Sequence, residues 1–176
     1  MECEGEKFSY TSRAGSSSVR TGECTIASGN TDTGICGAEE KTQVSKCGSI
    51  HFSIYHSGDW WSCAVSTEEA GLDIQQERHC RAERLARRFY HPLEVAWLEK
   101  NGYSHFCKLW AYKESYVKYT GVGLIQGMDY FSVISPSGIL TGAADVCQQL
   151  VAFQQDCHMV VTAEHRQAFS LQPLEG

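Results

Sequence analysis

Residues 110–118 read WAYKESYVK. On a helix, residues four apart share a face, so Glu114 lies directly beneath Lys118, with Trp110 one turn earlier on the same side. A carboxylate and an ammonium on one face can serve a phosphate site: the carboxylate holds a metal ion and the ammonium touches a phosphate oxygen. The same pair also fits an ordinary salt bridge on a solvated face, worth roughly 0.2–0.5 kcal/mol, and this stretch alone favours that plainer reading. The helix extends over about 104–119, SHFCKLWAYKESYVKY, and stops before Gly121.

Upstream, Ala82, Leu85, Ala86 and Phe89 repeat at helical spacing, which predicts an amphipathic helix over 79–90. Pro92 suits the first position of a further helix, with Leu93, Ala96 and Trp97 on one face and Gly102 as its stop. Before the helices the period changes to two. Ile50, Phe52 and Ile54 point one way, and His51, Ser53 and Tyr55 the other. A turn at Ser57-Gly58-Asp59 and a second strand over 60–66 complete a hairpin. AGLDIQ, residues 70–75, reads as a third short strand. After the helices, strands are predicted at 131–135 (FSVIS) and near 149–153 and 157–163.

Two further positions draw attention. Asp73 stands between Leu72 and Ile74 on a strand and faces away from both. A carboxylate so placed must be paired, hydrogen-bonded or metal-bound, and magnesium favours carboxylates together with substrate phosphates and waters. A turn-capping Asp at a strand end is an equal alternative. His56 closes a strand beside Ser57 and Gly58, where side chain and backbone together can donate to a phosphate; a lone His is more often a structural hydrogen-bonder.

The segments FSIYHSG (52–58), GLDI (71–74) and WAYKESYVK, in this order, resemble the signature set of the 4'-phosphopantetheinyl transferases, in particular their larger monomeric type that activates peptide synthetases. That family has an F-N-x-S-H-S strand end, a [VIL]-G-[VIL]-D-[VIL] strand and W-x-x-K-E-[SA]-x-x-K on a helix. Ser53 stands where Asn is common, and Tyr55 where Ser is usual. ARRFYHPLE, residues 86–94, resembles a further family segment, and the likeness runs from about Ile50 to Phe169.

The resemblance implies an α+β fold, an antiparallel sheet packed against helices, arranged as a pseudo-dimer of two similar halves with coenzyme A at their junction, the first half here being incomplete. It implies an Mg2+-dependent enzyme, a holo-carrier-protein synthase, that moves 4'-phosphopantetheine from coenzyme A to a serine of an apo acyl or peptidyl carrier protein and releases adenosine 3',5'-bisphosphate. The alternative is a degenerate, non-catalytic module that binds coenzyme A or a carrier protein. By the same resemblance, Asp73 and Glu114 hold Mg2+, with Gln75 a weak ligand where many members have Glu. Glu114 is also the candidate base. Lys118 contacts the pyrophosphate and assists catalysis, His56 and Ser57 bind coenzyme A phosphate, and Lys113 is a further cofactor-binding lysine of less defined role. Arg81, Arg84 and Arg88, at i, i+3 and i+7, form a basic stripe suited to an acidic carrier, or a solvated face.

Composition bounds the remainder. The 176 residues allow one sizeable domain or two small ones, and 42% hydrophobic with 20% charged residues is ordinary for a globular protein. A net charge of −6 argues against nucleic acid as partner. No apolar run approaches the ~18 residues needed to cross a bilayer. MECEGEKFSY lacks the pattern of a signal peptide, so a cytoplasmic location is expected. The nine cysteines are odd in number, irregularly spaced and without CxxC, which favours reduced thiols over zinc or disulfides.

Residues 1–46 contain no Leu, Trp or Pro and are rich in Ser, Thr and Gly. They are expected to be loosely packed or disordered. The organisation that follows is an atypical segment over 1–46, a hairpin remnant of a first half over 47–70, and a transferase domain over 71–176. Two explanations compete: a reduced family member, or a truncated or misread gene start joined to a genuine remainder. The scarcity of large apolar residues favours the second.

Overall fold

A computed structural model describes residues 22–30, 45–47, 50–58, 60–123 and 127–173. In chain order the strands are β1 (Gly22–Asn30), β2 (Ser45–Cys47), β3 (Ile50–Ser57), β4 (Trp60–Ser66) and β5 (Ala70–Gln76). Helices α1 (Ala82–Phe89), α2 (Pro92–Asn101) and α3 (Phe106–Thr120) follow, a 3-10 turn at Tyr103–His105 leading into α3. Strands β6 (Cys147–Val151), β7 (Cys157–Ala163) and β8 (Gln167–Pro173) complete the order. The fold is α+β, as expected.

The strands form two sheets, one of five strands ordered β2-β3-β4-β1-β8 and one of three ordered β5-β7-β6. All pairings are antiparallel except β1 with β8, which is parallel. The three-stranded sheet lies between the larger sheet and the helices. Alternation along β7 makes this plain: Met159 and Val161 join Leu72, Ile74 and Ala64 in one apolar cluster, while Val160 joins Leu98, Leu109 and Ala111 in the other. Accordingly β5 is buried on both faces from Ala70 to Gln75.

Gly71 is where β5 meets α3. A Cβ at this position would overlap the carbonyl oxygen of Ser115 and the backbone of Tyr119. The absent side chain therefore sets how near the strand approaches the helix. Polar links tie α3 to the neighbouring strands β6 and β7: Gln148 Nε2 donates to Tyr112 O (2.7 Å) and to Thr162 Oγ1 (2.7 Å), and Thr162 Oγ1 donates to Ser115 Oγ (2.8 Å).

One expected strand differs from the structure. FSVIS is not a strand; Ile134 makes one isolated bridge to Leu140. Its backbone groups go elsewhere. Val133 N–H donates to the Glu94 carboxylate (2.8 Å), Phe131 O accepts from Lys113 (2.7 Å), and Ser135 N–H closes a local turn onto Ile139 O (2.9 Å). Of the stretch 1–46, residues 22–30 form β1, inserted between β4 and β8, and 45–46 begin β2; the expectation for 1–21 and 31–44 lies outside the described residues. A strand hydrogen-bonded along both edges satisfies its backbone whatever its side chains, so low apolar content does not preclude it. β8 joins the same sheet as the 50–66 hairpin.

Candidate active site

The inner face of β3 is its polar one. Ser53 and Ser57 are buried, whereas Ile54 is 42% exposed. The reason lies in β5, whose edge away from β7 would otherwise carry unpaired backbone donors. Ser53 Oγ accepts from Leu72 N–H (3.4 Å) and Ser57 Oγ accepts from Gln76 N–H (3.1 Å). Tyr55, two residues from each, lies on the same face of β3.

On β5 the residues alternate. Leu72 and Ile74 enter the core toward the larger sheet, and Gly71, Asp73 and Gln75 lie on the face toward α3. Asp73 is fully buried. Its Oδ1 accepts from Lys118 Nζ at 2.6 Å, and Lys118 is itself only 1% exposed. The Lys118 ammonium also lies 3.0 Å from the centroid of the Tyr55 ring. The Asp73 carboxyl is raised to about 8: burial is the largest cause, the Lys118 charge and hydrogen bond oppose it, and the neighbouring Glu114 charge adds to it. Asp73 Oδ2 is buried and has no hydrogen-bond partner among the described residues.

The three most specific candidates from the sequence, Asp73, Glu114 and Lys118, are thus brought together where β5 crosses α3. Gln75 is buried on the same face of β5. His56 is exposed and lies on the face of β3 opposite Tyr55 and Ser57, so the strand does not direct it toward this cluster. Ser57 is occupied with the β5 backbone. Lys113 has its own enclosure. It is fully buried, with Glu94 Oε2 at 2.8 Å, Phe131 O accepting at 2.7 Å and the Phe131 ring centroid at 4.0 Å. Burial lowers the pKa of its ammonium, which Glu94 opposes. Glu94 additionally accepts from His91 N–H (3.0 Å) at the start of α2 and from Val133 N–H (2.8 Å). Arg81, Arg84 and Arg88 are exposed at α1.

The donor set suits Mg2+. Two buried carboxylates repel one another unless a cation or proton intervenes, and Asp73 Oδ2 is an oxygen without a partner among the described residues. No group of three or more His, Cys, Asp or Glu side chains able to hold a metal occurs among the described residues. A two-carboxylate site completed by substrate phosphate and water is the arrangement Mg2+ favours, in place of an all-protein cage.

Tyr55 and Glu94 are the residues the sequence did not single out. Tyr55 sits inside a quoted motif, but its partner Lys118 is distant in sequence. Glu94 could have been found as the carboxylate following His91-Pro92, the position from which a side chain reaches back to cap a helix.

Residues 69–168 match the family model of the 4'-phosphopantetheinyl transferase superfamily. The chain is 35% identical over 97 residues to a 4'-phosphopantetheinyl transferase of Bacillus subtilis, covering 53% of this chain and 43% of that protein. It is 38% identical over 79 residues to the transferase gsp of Aneurinibacillus migulanus, covering 43% and 33%. It is 37% identical over 87 residues to the transferase Sfp of Bacillus subtilis strain 168, covering 47% and 38%. The chain therefore spans 33–43% of the length of these relatives. No helix among the described residues is long and apolar enough to cross a membrane. With more than half of its length matched by the family model, and the motif residues gathered in one buried cluster, this chain belongs to the 4'-phosphopantetheinyl transferase superfamily.

Proposed function

We propose that the protein transfers 4'-phosphopantetheine from coenzyme A to a serine of an apo carrier protein, releasing adenosine 3',5'-bisphosphate. The observation that carries this reading is the Asp73–Glu114–Lys118 cluster, with Asp73 Oδ2 buried and unpartnered among the described residues. Asp73 and Glu114 would hold Mg2+, with Gln75 a weaker contributor. When bound there, the ion supplies positive charge to the coenzyme A pyrophosphate. Lys118, held at Asp73, adds a second positive charge for the phosphoryl oxygens. Glu114 takes the proton of the carrier serine, directly or through a water, as the serine oxygen attacks the β-phosphorus in line. Phosphoryl-type transfer asks mainly for positioning and charge neutralisation, which a compact, buried set of one cation and two carboxylates is able to give.

The roles of the remaining candidates follow from their surroundings. Lys113 acts through structure: it joins α3 to the start of α2 and to the 131–133 segment by way of Glu94 and Phe131 O. His56, exposed at the end of β3, remains a candidate for an outlying phosphate. Arg81, Arg84 and Arg88 are candidates for docking an acidic carrier surface. The pseudo-dimeric organisation of the larger transferases, with β1–β4 and β8 as the counterpart of a first half, belongs to the same proposal.

The test is incubation with an apo carrier protein, coenzyme A and Mg2+, followed by chromatography for adenosine 3',5'-bisphosphate. Release that requires both carrier and Mg2+ supports the reading. Coenzyme A binding by calorimetry without any release would favour the non-catalytic binding module instead.

A further inference from the structure

The Lys118 ammonium is buried, and among the groups that meet it are two from different strands. Asp73 Oδ1, from β5, accepts from it at 2.6 Å, and the Tyr55 ring, from β3, has its centroid 3.0 Å away. An ammonium this close to an aromatic face is attracted by the ring quadrupole, and the attraction strengthens where water is excluded. A flexible lysine stem also gives up rotamer freedom when its head is fixed. Tyr55 is itself tied down, because Ser53 and Ser57 on either side hydrogen-bond the β5 backbone. The ring therefore presents a fixed surface to the end of Lys118.

We propose that Tyr55 is a positioning residue: its ring holds the Lys118 ammonium beside Asp73, so the phosphate-binding charge is already in place before coenzyme A arrives. The inference rests on the functional reading above for what Lys118 does, but its geometry stands apart from that reading. It also accounts for the departure from the family pattern at this position. A serine there could not provide an aromatic face, so in this chain the lysine is oriented by a contact that the usual residue does not supply. Removing the ring frees the ammonium to sample other positions, which weakens phosphate binding. Removing only the hydroxyl leaves the ring contact.

Two measurements on wild type, Tyr55→Phe and Tyr55→Leu test this. The first is NMR of the metal-free, ligand-free protein, following the Lys118 ε-methylene protons. A ring this near shifts them upfield. The displacement is expected in wild type and in Tyr55→Phe, and is expected to vanish in Tyr55→Leu. Ordinary lysine shifts in the wild type would overturn the proposal whatever the activity. The second is calorimetry of coenzyme A binding with Mg2+, alongside transfer kinetics. Tyr55→Leu should weaken binding about five- to thirtyfold, the span from an exposed to a desolvated cation–π contact, with kcat changed less than KM. Tyr55→Phe should bind as wild type does. Unchanged binding in Tyr55→Leu, or equal losses in both variants, would assign the role to something other than the ring. Binding and spectra as expected, with no transfer by the wild type, would defeat the catalytic reading and leave this inference standing.

Discussion

Lys113 and Lys118 lie on one helix, both buried, yet they meet different surroundings. Lys113 is enclosed by Glu94, Phe131 O and the Phe131 ring; Lys118 meets Asp73 and Tyr55. Removing Lys113 leaves the Glu94 carboxylate buried without its cation. Lys113→Met is therefore expected to lower stability by about 3–5 kcal/mol, measured by denaturant unfolding. Its folded fraction should still transfer phosphopantetheine, and a stable Lys113→Met protein without activity would return this lysine to the reacting site. Glu114→Gln should do the opposite. It keeps the side-chain volume, so thermal melting should change little, while the loss of the base should cut transfer by at least about a hundredfold. Activity retained in that variant would remove Glu114 from the proton transfer. Cysteine chemistry gives a third contrast. Burial raises the Cys107 thiol to about 11, so almost none of it is thiolate at pH 8, whereas Cys80 is exposed. Mass spectrometry after brief iodoacetamide treatment of the native protein should find Cys80 alkylated well before Cys107. Equal rates would mean that the start of α3 opens readily.

Each element teaches what local sequence can and cannot convey. Helices α1, α2 and α3 were legible because apolar spacing, Pro92 and the glycines at 102 and 121 are local signals. The hairpin of β3 and β4 and the strand β5 were legible for the same reason. FSVIS misled because alternation reports a pattern, not where the backbone bonds go, and here Glu94 and Lys113 take them. β1 and β8 were missed because each is stabilised by pairing with the other across most of the chain, a relation no short window contains. In the site, Asp73, Glu114 and Lys118 were legible by motif. Tyr55 was not, because its meaning depends on β3 lying along the free edge of β5. That junction also makes Gly71 a sharp test of packing. Gly71→Ala places a Cβ against the α3 backbone, which cannot rotate aside as a side chain could. Overpacking of this kind costs about 1–3 kcal/mol or more. The variant should melt at lower temperature and lose activity beyond what its unfolded fraction explains, since β5 and α3 each carry part of the cluster. A Gly71→Ala protein with wild-type melting and activity would mean that the close approach is not required.

At the largest scale the described residues form a three-stranded sheet flanked by helices on one side and a five-stranded sheet on the other, and the cluster sits where these parts converge. β5 brings Asp73, α3 brings Glu114 and Lys118, and β3 brings Tyr55. The chain spans 33–43% of the length of the relatives compared. Transfer by this length of chain is thus the central claim, and the mass of the carrier product measures it directly. The protein should be mixed with coenzyme A, Mg2+ and, in turn, apo carriers of fatty-acid, polyketide and peptide-synthetase type, and each carrier weighed intact by mass spectrometry. The account predicts a gain of one phosphopantetheine on at least one carrier, abolished by chelating the metal and by Glu114→Gln. No gain on any of the three, with the chain folded and Mg2+ present, would contradict it.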